Sequence, residues 1–337
     1  MMKHKDKVVY AAALLVALLL VVGCSNPTGG GAKEGQESGS GVHGTEIASV
    51  SAGTEHTIIL DTDGTLWATG WNWAGELGDG TTEHRSTPVE VMSNVAAVSA
   101  GWSHTMILDT DGRLWATGLN DLGQLGDGTG EDTSTPVEVM SDVAAVSAGW
   151  AHTMIIDNHG TLWATGANGS GQLGDGTTED KHTPVEVMSG VAAVSAGVWH
   201  TMILDTDGTL WATGWNEYGQ LGDGTSGENN FTATPVEVMS GVAAVSAGGN
   251  HTMILDTDGT LWATGRNIEG QLGDRTNSNR SRPVFVMDDV AAVSAGSAHT
   301  MILDTGGTLW GTGANSRGHL GDGTTVRKNS PLRVSGW

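Results

Sequence analysis

The 337-residue chain carries 52 Gly, 13 Trp and 12 Met but only 2 Phe and 2 Tyr, a skew that points to short segments copied many times, with glycine at fixed turns. Its 15 Lys and Arg against 38 Asp and Glu give a formal charge of −23. That charge repels phosphate backbones, which argues against a nucleic-acid partner and fits a cationic one. Cys24 is the one cysteine, so internal disulfides and a cysteine metal site are excluded and packing alone must hold the fold.

Residues 1–23 read as an export signal: Lys3, Lys5 and Lys7 precede an almost unbroken apolar run from Val8 to Val22. The run is short for a membrane span and suits a signal core. It ends in Val21-Val22-Gly23-Cys24, which resembles a bacterial lipobox. That resemblance implies cleavage before Cys24, a diacylglycerol on its sulfur, attachment to the lipid bilayer, and a place in the bacterial cell envelope outside the cytoplasm. Residues 24–44 then form a tether, rich in Gly and Ser and with almost nothing to bury.

From residue 45 to 337 one phrase recurs six times. Ala-Gly-x-x-His-Thr places its histidine at His56, His104, His152, His200, His251 and His299, a period that belongs to propellers and solenoids. The third copy shows the logic. Val143 to Gly149 is apolar and small-residued, suited to crowding near an axis, and His152 to Asp157 is continuously apolar in its middle, as in a strand buried on both faces. A turn at Asn158 to Gly160 leads to Leu162-Trp-Ala-Thr-Gly166. After a longer loop, Pro184 to Met188 alternates apolar and charged residues and begins with proline, the marks of an exposed edge. Burial is thus expected to fall from the first strand to the fourth, the gradient of a propeller blade from axis to rim. The phasing predicts an all-β protein, a β-propeller of six four-stranded blades over residues 47–92 to 290–334. An open solenoid, which would want distinct capping segments at its ends, is the other architecture of this period.

The phrases Ala-Gly-x-x-His-Thr, Leu-Trp-Ala-Thr-Gly-x-Asn and Gly-Gln-Leu-Gly-Asp-Gly-Thr resemble the repeat of the regulator of chromosome condensation family. The resemblance covers residues 47–334 and implies a propeller, typically of seven blades where this chain has six. The family includes a nuclear exchange factor for a small GTPase, a plant ultraviolet-B photoreceptor and a secreted inhibitor of β-lactamases. The photoreceptor's Gly-Trp-Arg-His-Thr is approached by Gly101-Trp-Ser-His-Thr105 and Gly149-Trp-Ala-His-Thr153, without the arginine. Fold does not fix function, and the acidic, exported character of this chain is nearest to the inhibitor's setting.

The six copies differ in three places: the pair between Gly and His, the residues around the loop asparagine, and the stretch after Gly-Asp-Gly-Thr. Antiparallel connectivity puts all three on one face of the disc. That face gathers the aromatics outside the repeat, Trp71, Trp73, Trp102, Trp150, Trp199, Trp215, Tyr218 and Phe231, which makes them the candidate ligand-binding residues. The repeat histidines are expected to bond backbone within their blades, being spread too widely to share a metal ion. Trp67, Trp115, Trp163, Trp211, Trp262 and Trp310 are expected to pack between blades. Asp-Thr-Asp-Gly lacks the further ligands of a calcium loop and reads as a turn. The Gly-Gln-Leu-Gly-Asp-Gly run lacks the lysine and helix of a phosphate loop. With no unique catalytic cluster and no cofactor motif, the sequence reads as a binding protein for a protein or glycan. A polysaccharide-acting enzyme with its site at the central channel and an exchange-factor-like activity are the alternatives.

Overall fold

The computed structural model describes residues 46–334; the export signal, Cys24 and the tether lie outside them. The described residues form 24 β-strands in six four-stranded antiparallel sheets, each with its strands in chain order. In the first blade β1 (Ile47–Ala52), β2 (His56–Asp61), β3 (Leu66–Gly70) and β4 (Arg85–Met92) follow one another. The later blades occupy residues 95–140, 143–188, 191–239, 242–287 and 290–333. First strands of successive blades adjoin one another, so the six sheets are arranged as the blades of a propeller.

Burial does not fall steadily from the first strand to the fourth. In the third blade the first strand is largely exposed or half-buried, whereas every residue of His152–Asp157 is buried. The small side chains of the first strand leave its axial side open. The second strand is covered by its sheet neighbours and by both adjoining blades, so the greatest burial lies one strand out from the axis.

The turn between the second and third strands is locked by its leading aspartate. The Asp61 carboxylate accepts the indole N–H of Trp67 at 3.0 Å and the backbone N–H groups of Asp63 and Thr65 at 3.0 and 2.8 Å. The Trp67 bond, opposed by burial and helped by the two backbone bonds, holds this carboxyl below the ordinary range. Asp-Thr-Asp-Gly is therefore a turn whose aspartate also orients the repeat tryptophan.

Successive blades are joined by an apolar seam and a polar one. Ile58, Leu60, Leu66 and Leu77 of blade one close over Val95 and Ile107 of blade two, with Trp115 packed alongside. The same arrangement recurs at the next four junctions, with Trp163, Trp211, Trp262 and Trp310, so these five tryptophans pack between blades. The histidines do not bond backbone within their own blades. His56 Nε2 instead meets Thr105 Oγ1 of the next blade at 3.0 Å, and that hydroxyl donates to the Glu76 carbonyl at 2.7 Å. Because the hydroxyl hydrogen goes to the carbonyl, the imidazole must donate from Nε2. His104, His152, His200 and His251 repeat the relay to Thr153, Thr201, Thr252 and Thr300. A neighbouring blade supplies a side-chain acceptor at the correct height, which no partner within the blade does.

Among the described residues these seams join blades one through six in order and do not recur between blade six and blade one. Thr57, Thr69 and Ile59 on the outer side of blade one are half-buried, as are His299, Met301 and Leu309 on the outer side of blade six. Their counterparts Thr105, Ile107, Thr117, His152, Met154 and Leu162 are at most 1 % exposed.

Each long loop between third and fourth strands is built on a buried asparagine. Asn72 Nδ2 donates to Asp79 Oδ1, the Thr81 carbonyl and the Glu83 carbonyl at 3.2, 3.0 and 3.1 Å, and its Oδ1 accepts the Leu77 N–H at 2.9 Å. Asn120, Asn168, Asn216, Asn267 and Asn315 clamp the other loops in the same way. The loops are thereby rigid platforms for the residues that vary between copies.

Three outcomes are expected. Replacing the seam histidine of an inner junction, His152→Ala, costs about 3 kcal/mol in urea unfolding, because a buried donor and its volume are lost together. His299→Ala costs about 1 kcal/mol or less, and equal losses would contradict the open sixth junction. Burial lowers His104, His152 and His251 from 6.5 to about 3, and His56 and His200 to about 4. The unfolded chain then binds protons that the folded chain refuses, so the melting temperature holds above about pH 7 and falls as pH drops from 6.5 towards 4. A melting temperature independent of pH across that window would contradict the neutral relay. Asn120→Ala, which strands the Thr129 and Glu131 carbonyls and the Leu125 N–H, costs about 2–4 kcal/mol by the same measurement.

Candidate functional site

The pair between Gly and His projects from a fixed frame. The Gly53 N–H donates to the His56 carbonyl at 2.9 Å, closing a tight turn, and a Cβ on Gly53 would overlap the ring of His56. Glycine and histidine are thus both committed, and the two residues between them are free to differ from blade to blade.

In three consecutive blades these positions supply tryptophan. Trp102 stacks on Trp150 with ring centroids 4.8 Å apart and planes at 24°, and Trp150 meets Trp199 at 4.3 Å and 47°. The run crosses two blade junctions and has one end, Trp102, at 39 % exposure. Trp102 also enters a cavity of about 260 Å³ between blades one and two, where it joins Trp71, Trp73, Glu55, Glu76 and Leu119. The cavity is therefore made jointly by first-to-second-strand turns and third-to-fourth-strand loops. The third variable stretch reaches it as well, because Trp71 stacks on His84 at 4.1 Å and 23°, and His84 Nδ1 accepts the Asn72 N–H at 3.0 Å.

The remaining candidates belong to blade four, where Tyr218 meets blade five. The guanidinium carbon of Arg266 lies 5.5 Å from the centre of the Tyr218 ring. Trp215 ends the third strand of blade four, opposite Phe231 at the start of the fourth, and Phe231 is 46 % exposed at the rim. Phe231 is thus not part of the tryptophan run.

Three charged residues at these two places escape a search for aromatics. Glu76 is 1 % exposed and its Oε2 accepts the Ala74 N–H at 2.9 Å. Gln124, Gln172, Gln220 and Gln271 make the same bond with an amide oxygen. Burial, opposed by the backbone N–H groups of Glu76 and Ala74, holds the Glu76 carboxyl above its ordinary range. The signal in the sequence is this one carboxylate where four copies carry glutamine. Glu55 and Arg266 sit at variable positions and become notable only through what lies beside them. The cavity offers flat aromatic surface together with acidic oxygens, a combination suited to an apolar group carrying positive charge.

A family model described as an RCC1-like domain matches residues 19–336. No curated protein matches the chain significantly. Among solved structures, human WBSCR16 is 24% identical with a TM-score of 0.77, covering 87% of this chain and 82% of that one. Yeast RCC1 (Prp20), solved with Kap60 bound to it, is 22% identical with a TM-score of 0.78, over 86% of this chain and 75% of that one. A second structure of Prp20p, from Saccharomyces cerevisiae, is 23% identical with a TM-score of 0.77, over 86% and 77%. These structures share the fold. The six seam-joined blades, the repeated phrases and the match across nearly the whole chain lead to one assignment: the chain belongs to the family of RCC1-like domains.

Proposed function

We propose that the chain is a non-enzymatic binding protein of the bacterial envelope, held to the bilayer through a lipid on Cys24, that takes a protein ligand on its variable face. The observation that carries this reading is the continuous run of Trp102, Trp150 and Trp199 across three blades, beside a tryptophan-walled cavity. Aromatic residues grouped in this way are the usual anchors of protein interfaces, worth about 2 kcal/mol or more each when central. A charge of −23 favours a ligand with a basic surface and speeds its approach. Support for a protein ligand also comes from Prp20, whose structures were described bound to Kap60 and with binding to Gsp1p and histones.

The test is capture of a ligand from envelope extract by the wild-type domain and by Trp102→Ala and Trp150→Ala. Capture lost in both variants, with melting temperatures within a few degrees of wild type, is the expected result. Capture that survives both, or binding to neutral oligosaccharides in place of protein, overturns the reading. Separately, growth with labelled palmitate in a bacterial host should label the wild-type protein and leave Cys24→Ser unlabelled. Equal labelling would remove the anchor.

A further inference from the structure

The cavity between blades one and two has a counterpart elsewhere in the molecule, because the repeat places corresponding residues at every junction. Counting from the repeat tryptophans Trp67 and Trp211, Trp71 corresponds to Trp215, Ala74 to Tyr218 and Glu55 to Trp199. Counting from Trp115 and Trp262, Leu119 corresponds to Arg266. At the junction of blades four and five the chain thus supplies its own cation at this station. The Arg266 guanidinium lies over Tyr218, and among the described residues its buried Nε has no hydrogen-bond partner. Attraction to the aromatic surface, more than hydrogen bonding, holds the charge there.

At the junction of blades one and two the same station is built differently. Leu119 stands where arginine would be and Ala74 where tyrosine would be, and the shorter side chains leave the cavity of about 260 Å³. Trp71 is retained at the position of Trp215, and Trp73 and Trp102 stand where the other junction has Glu217 and Gly249; the three tryptophans are 44 %, 70 % and 39 % exposed. Two carboxylates, Glu55 and Glu76, join the lining, and Glu76 replaces the neutral glutamine of four other copies. The volume lies just below the roughly 300–1,000 Å³ of drug-sized sites, which suits the end of a side chain better than a whole small molecule.

We propose that this cavity binds the guanidinium or alkylammonium group of a basic side chain on a protein partner, with Trp71, Trp73 and Trp102 as its walls and Glu55 and Glu76 as its counter-charges. The proposal rests on the binding role of the variable face and names the chemistry recognised there. Tryptophan is the strongest aromatic partner for an organic cation. The carboxylates add the charge selectivity that apolar walls lack. Loss of binding in high salt follows, since Glu55 is exposed.

The test is a tryptophan-fluorescence titration of the whole protein with N-acetyl-arginine amide, against N-acetyl-citrulline amide as its neutral isostere. The arginine derivative is expected to give a saturable change and citrulline none. Trp73→Ala and the double variant Glu55→Gln/Glu76→Gln should each weaken the arginine response about 10-fold. Leu119→Arg, which copies the arrangement at Arg266, should abolish it by filling the cavity from within. Val326→Ala, on an exposed loop of blade six, should leave it unchanged. An equal response to arginine and citrulline, or an undiminished response in Leu119→Arg at wild-type melting temperature, overturns the proposal. Partner capture lost in Trp150→Ala with no arginine response would keep the binding face and remove the cation site. An arginine response with capture unaffected by Trp102→Ala and Trp150→Ala would do the reverse.

Discussion

The bond from the histidine of each of the first five blades to the threonine of the next blade is the contact on which the rest of the molecule depends. It is buried, it crosses the junction, and its direction is set because the threonine hydroxyl passes its own hydrogen to a loop carbonyl of the preceding blade. One relay therefore ties together three elements: the turn that carries the variable pair, the second strand of the neighbour, and the long loop. A protonated imidazole has no acceptor for its second hydrogen, since the Nδ1 atoms of the inner histidines are buried without partners among the described residues. The polar seam thus requires neutral histidine, and the apolar seam beside it keeps water away from the ring.

That rigidity explains how so repetitive a chain can hold distinct chemistry. Gly, His, the loop Asn and the turn Asp are all occupied by structural bonds, and their neighbours on the variable face are not. Substitution is confined to positions whose backbone is already fixed, so a tryptophan placed there needs no new support. Side chains of adjacent blades then meet across a junction of constant width. The stack of Trp102, Trp150 and Trp199 and the pair of Arg266 with Tyr218 are two products of the same frame.

Much of the fold was legible because the repeat supplies its own controls. Six copies of one phrase define the strands, the turns and the family, and comparison between copies isolates the positions that vary. The expected gradient of burial was incorrect at its inner end, since a period-two pattern reveals which residues are apolar and does not reveal what stands across the axis. The sequence alone points to backbone within the blade as the histidine's partner. Its partner is 49 residues away at His56 and Thr105, a separation close to one repeat and visible only once blades are set side by side. Similarly, Glu76 stands where four other copies carry glutamine, and only the folded loop brings it into the lining of a cavity.

Local sequence alone determined the strands, the Asp-Thr-Asp-Gly turns, the number of blades and the set of aromatics outside the repeat, because each follows from short-range periodicity and turn chemistry. Tertiary structure alone decided which of those aromatics meet, which acidic groups join them, and which junctions are sealed. Contact between blades depends on where equivalent residues of different copies lie around the axis. It also decided that blades one and six keep half-buried outer faces, although Thr57, Ile59, His299 and Met301 are the same residue types that are fully covered at inner junctions. Identical residues differ there in burial because what a side chain contributes depends on whether another blade stands against it.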